Sequence, residues 1–200
     1  MFHPVIIGVG GFNSEVGKTT LMCELLKAFP DWEAIKTTRG HYRSCGKDPH
    51  ACCVSHLLSD RPLVRSGHSE TYEKGKDTGR YWDAGASNVH WLICTDDQVE
   101  PGIKEALARV KAPGVFIEGN SFSQFVKMDH FVMVRRSDDD KMKTSARRTI
   151  GNITAMYVSD LAGAVENENA YRPTAETPLF TPSSFFSLVG LLKWNRSLLY

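Results

Sequence analysis

The stretch Gly11-Phe12-Asn13-Ser14-Glu15-Val16-Gly17-Lys18-Thr19-Thr20 constrains the fold of this chain more than any other. It follows the apolar run Val5-Ile6-Ile7-Gly8-Val9, which reads as a strand. It precedes Leu21, Met22, Leu25, Leu26 and Phe29, spaced to line one face of a helix. A strand, a glycine-bearing loop, Gly-Lys-Thr and a helix are the context that makes a phosphate-loop pattern credible. Backbone N–H groups of such a loop converge on an anion, and the dipole of the following helix adds to the attraction. Lys18 is expected to reach the β/γ-phosphates, and the Thr19 hydroxyl to ligate Mg²⁺. Gly11, Asn13, Ser14, Glu15, Val16, Gly17 and Thr20 complete the expected phosphate cradle. The spacing departs from the commonest form: five residues, not four, separate Gly11 from Gly17.

Composition bounds the rest. A chain of 200 residues is long enough for one domain with a substantial core. Its net charge of +1 gives no electrostatic case for nucleic acid or an anionic membrane as partner. The N-terminal apolar run is short and lacks a basic flank, so it reads as a strand and not as a secretory signal. The late apolar patch from Phe185 to Leu192 is too short to span a bilayer. Five cysteines without an export signal point to a reducing cytoplasm, with thiols or metal ligands favoured over disulfides.

Along the chain, further strands are expected at Trp32–Lys36, Val89–Cys94, Gly114–Glu118, Phe131–Val134 and Ile153–Val158. A helix is expected from Pro101 to Val110, opened by proline. Strands alternating with helices imply an α/β fold: a doubly wound, mostly parallel sheet of the P-loop NTPase type. Residues 1–160 are expected to form the nucleotide-binding domain, interrupted at about 37–76 by a long polar excursion. Residues 161–200 read as a C-terminal extension that packs on the domain or serves a partner.

A second block, Gly75-Lys76-Asp77-Thr78-Gly79-Arg80-Tyr81-Trp82-Asp83-Ala84-Gly85-Ala86, places a carboxylate, a hydroxyl and a guanidinium close together. Arg80 suits bidentate phosphate contact, and Asp77 suits water or the shell of a Mg²⁺ ion. The same residues would also serve as a plain helix start, with Asp77 or Thr78 as its cap. Glu118 ends an apolar strand, where α/β sheets present ligand-binding groups, and there it can hold Mg²⁺.

This block resembles a segment of the molybdopterin-guanine dinucleotide biosynthesis protein B (MobB) family. So do the strand–Gly-Lys-Thr-Thr-Leu start, the pair Ile35-Lys36 and the strand end Glu118-Gly119, in matching order from about Met1 to Val134. The resemblance implies a GTP-binding P-loop protein that assists nucleotide attachment to the molybdenum cofactor as a homodimer. It places Asp77 and Glu118 near the metal and the γ-phosphate, and a molybdenum cofactor biosynthesis protein among the partners. The loop ending Glu15-Val16-Gly17-Lys18-Thr19 is also similar to dethiobiotin synthase, which implies an ATP-dependent ligase instead.

Six thiols and imidazoles, His41, Cys45, His50, Cys52, Cys53 and His56, crowd the polar excursion. They have the chemistry of a transition-metal site without the spacing of a known finger, and buried thiols beside surface histidines explain them as well. Were they ligands, a nucleotide-driven metallochaperone would follow. Base-reading residues are sparse. Asp160, with Ser159, is the one carboxylate that could meet a guanine edge, although an aspartate after a strand more often serves a turn; Arg135 and Arg136, after the Phe131–Val134 strand, could flank the base or ribose but suit a solvated basic turn better. The Lys141–Arg148 cluster reads as a charged helix face.

Overall fold

The computed structural model describes residues 3–40, 54–138, 141–161 and 171–194. In chain order the elements are β1 (Val5–Gly11), α1 (Lys18–Ala28), β2 (Glu33–Arg39), β3 (Leu63–Ser66), α2 (His68–Thr71), α3 (Asp77–Asp83) and β4 (Val89–Cys94). There follow α4 (Val99–Ala108), β5 (Gly114–Glu118), β6 (His130–Arg135), α5 (Thr144–Arg147), β7 (Ala155–Val158), β8 (Leu179–Phe180) and α6 (Phe185–Trp194). The strands form one eight-stranded sheet in the order β3-β4-β2-β5-β1-β6-β7-β8. All neighbours are parallel except β3, which runs antiparallel along β4 at the edge.

Both faces of this sheet are covered, so its central strands are apolar on both sides, as buried parallel strands must be. Successive residues alternate between two cores. Phe116, Val132, Val134 and Ala34 pack with Leu21, Met22, Leu25 and Leu26 of α1 and with Leu188, Val189 and Leu192 of α6. Val115, Ile117, Phe131, Met133 and Ile35 pack on the other face with Val99, Ile103 and Ala106 of α4. Each fully buried side chain of this size contributes roughly 1.5–3 kcal/mol of transfer free energy. No helix among the described residues is long and apolar enough to cross a membrane.

Two expectations change in detail. Within the stretch read as a polar excursion, regular elements appear: β2 continues three residues beyond Lys36, and β3 and α2 follow later. The final strand of the expected set begins at Ala155, after a 3₁₀ turn at Ile150–Asn152. Near the C-terminus, β8 adds to the sheet beside β7. Cys23 and Cys94 are buried free thiols, and burial pushes Cys94 up to about 11.

Candidate functional site

The loop between β1 and α1 sits at the carboxyl end of β1, which lies between β5 and β6. Gly17 caps α1 with φ of +90°, a left-handed conformation that L side chains adopt at a cost. Glu15, at φ +61°, accepts that cost. The loop is held from behind. The Asn120 side chain accepts from Gly11 N at 2.9 Å and donates to Gly11 O at 2.9 Å. Asn13 Nδ2 donates to Lys141 O at 2.6 Å. Val16 turns its side chain into the core. Gly11, Asn13 and Val16 therefore support the loop and do not line its cavity.

A cavity of about 410 Å³ opens in front. Ser14, Glu15, Gly17, Lys18, Thr19 and Thr20 form one wall, and Lys36, Asp77, Arg80 and Glu118 form the other. Four separate elements thus bring together every charged residue singled out above from the phosphate loop, the Gly75–Ala86 block and the end of β5. Lys18 is folded back, donating from Nζ to Asn13 O at 3.2 Å, and burial lowers its pKa. Thr19 Oγ1 donates to Glu118 Oε2 at 3.1 Å. Arg80 Nη2 donates to Thr20 Oγ1 at 3.4 Å.

Lys36, Tyr81 and Asn120 belong to this arrangement although sequence reasoning assigned them no role. Lys36 Nζ bridges Asp77 Oδ2 at 2.5 Å and Glu118 Oε1 at 2.7 Å. Burial works to lower the Lys36 pKa, but the Glu118 and Asp77 carboxylates outweigh it and the net direction is upward. For Asp77 burial acts to raise the pKa, and Lys36 more than offsets it. Both groups are held in their charged forms. The fully buried Tyr81 hydroxyl donates to Glu118 Oε2, and burial together with that carboxylate pushes its pKa well up. Glu118 is 2% exposed, so a buried carboxylate is satisfied by a cation and two hydroxyls. The one advance signal for Lys36 was its place in the Ile35-Lys36 pair.

The donor set fits Mg²⁺. That ion takes hard oxygens, commonly one or two carboxylates with the remainder from phosphate and water. Thr19, Asp77 and Glu118 supply such oxygens around one cavity. Among the described residues no group of three or more His, Cys, Asp and Glu side chains could hold a metal unaided. His41, Cys45, His50, Cys52 and Cys53 lie outside the described residues. His56 lines a neighbouring cavity of about 580 Å³, which shares Lys36 and Asp77 with the first. On the opposite side a third cavity, of about 610 Å³, shares Glu15, Gly17 and Thr20.

The residues named for base reading divide. Arg136, Ser159 and Asp160 line this third cavity. The Asp160 carboxylate accepts from Ser137 N at 2.8 Å and from Ser137 Oγ at 2.9 Å, which ties two loops together. Arg135 is buried and lies 5.4 Å over the Phe12 ring, away from the cavity lining. In the Lys141–Arg148 cluster the helix is the short α5.

No family model and no curated protein sequence matches this chain. Its backbone is similar to that of LpxK from Aquifex aeolicus, solved in complex with ATP. The TM-score is 0.51 at 17% identity, over 89% of this chain and 53% of that one, so the chain spans about half the length of that structure. At such identity a likeness carries the fold and no substrate. Taken with the sheet order and the loop, it shows an α/β, doubly wound P-loop NTPase fold.

Proposed function

We propose that this chain binds Mg²⁺ with a purine nucleoside triphosphate in the 410 Å³ cavity and hydrolyses it slowly. The observation that carries the reading is the convergence of Lys18 and Thr19 with Lys36, Asp77, Arg80 and Glu118 around one opening. Lys18 leaves Asn13 O to neutralise the β/γ-phosphates, and Thr19 and Glu118 hold the ion with support from Asp77. When bound, Mg²⁺ supplies charge neutralisation at the phosphate oxygens. Lys36 and Arg80 face the γ-phosphate. In hydrolysis a water oxygen bonds to the γ-phosphorus, the bond to the β,γ-bridging oxygen breaks, and Asp77 takes the water proton. A carboxylate held ionised by Lys36 is a poor proton acceptor, which accords with slow turnover.

The finer reading follows the MobB resemblance: GTP as the nucleotide, a role in attaching a nucleotide to the molybdenum cofactor, and a homodimeric cytoplasmic protein. Residues 1–160 hold all the proposed nucleotide ligands named so far, with 161–200 as an extension. The 580 Å³ cavity beyond Lys36 and Asp77 offers room for a second substrate. That cavity also favours a second reading, an ATP-dependent ligase of the dethiobiotin synthase type, since a ligase must seat an acceptor beside the γ-phosphate. Calorimetry with GTP, ATP and GDP in the presence of Mg²⁺ separates them. We expect GTP to bind more tightly than ATP, and GDP more weakly than either. ATP preference would favour the ligase, and no binding of any nucleotide would sink both.

A further inference from the structure

The phosphate loop has a direction. Lys18 and Thr19, which serve the β/γ end, face Glu118 and Asp77 in the 410 Å³ cavity. Glu15, Gly17 and Thr20 line that cavity and also the 610 Å³ cavity on its far side. A triphosphate with its terminal group at Lys36 therefore leads its nucleoside into the larger space, whose volume suits a nucleoside.

Two walls bound that space. One is polar and fixed: Asp160 is tied to Ser137, and Arg136 Nη2 lies 3.5 Å from Asp160 Oδ2. The other is the start of α6. Its Leu188, Val189 and Leu192 are buried in the core, and a capping box between Thr181 and Ser184 fixes the preceding turn. On this firmly seated helix Phe186 is 84% exposed, with Phe185 edge-on to it at 5.8 Å. A lone exposed aromatic is ordinary on a surface, but this one lines a cavity that continues directly from the phosphate loop.

We propose that Phe186, braced by Phe185, is the stacking platform for the purine base, so that the C-terminal segment completes the nucleotide site. The inference rests on the phosphate-site reading and adds the residue that grips the base. Stacking uses the π-face common to adenine and guanine, so it supplies affinity without choosing between them. Calorimetry of the full chain with Mg²⁺ and GTP, ATP or inorganic tripolyphosphate tests it. We expect Phe186→Ala to weaken both nucleotides by about tenfold, to leave tripolyphosphate affinity unchanged, and Phe186→Tyr to restore nucleotide affinity. Unchanged nucleotide affinity in Phe186→Ala, or an equal loss for tripolyphosphate, overturns the platform while the phosphate site stands. Failure of the unaltered chain to take up either tripolyphosphate or nucleotide removes the phosphate site and the platform with it.

Discussion

Lys36 decides the electrostatics of the cavity. It lies within 2.7 Å of two carboxylates that would otherwise repel each other, and one of them, Glu118, is buried. Truncating it leaves that carboxylate with hydroxyl partners alone, a change that costs about 2 kcal/mol when the cation is partly exposed. We expect Lys36→Ala to be destabilised by that amount at pH 7. The Asp77 pKa is lowered in the fold, so its contribution is present above the ordinary carboxylate value of about 4 and is lost as the pH falls through the folded value. Urea midpoints of the two proteins should therefore draw closer as the pH drops below about 4, by the share that Asp77 contributes. A difference that persists undiminished at pH 3 would show that Lys36 acts by packing and not by charge.

Among the elements, α3 carries Asp77 and Arg80 to the cavity and Tyr81 to the buried Glu118 carboxylate, and its seating depends on Gly79. A side chain there would press into the Glu73 backbone carbonyl, which cannot swing away as a flexible side chain would. Gly79→Ala should push α3 outward, lower the melting temperature by roughly 4–8 °C for a cost of about 2 kcal/mol, and weaken triphosphate binding. A variant with unchanged melting and affinity would mean that the helix start tolerates displacement. Six of the seven parallel strands, β1, β2, β4, β5, β6 and β7, declared themselves through apolar residues that reach the cores on both faces of the sheet. The edge strand Leu63–Ser66 and the two-residue Leu179–Phe180 are too short for a period to emerge. The α6 helix was obscured because Phe186 is apolar on its outward face. Lys36 was hidden for another reason: its partners stand 41 and 82 positions away, and only the parallel pairing of β2 with β5 brings one of them near.

Across the whole molecule, three cavities adjoin one another: the outer 610 Å³ cavity shares Glu15, Gly17 and Thr20 of the phosphate loop with the 410 Å³ cavity, which in turn shares Lys36 and Asp77 with the 580 Å³ cavity. They follow the loops at carboxyl ends of sheet strands, where folds of this kind bind ligands. On the reading proposed above, the loop ending in Gly17-Lys18-Thr19 encloses a triphosphate. The most direct test of that reading is calorimetry of Mg²⁺–GTP binding to the unaltered protein and to Lys18→Ala, with thermal melting of both. We expect the substitution to cut affinity by about a hundredfold or more, the loss of a charged contact to two phosphates, while the melting temperature holds. Equal affinity in the two proteins, with the fold intact, would contradict it.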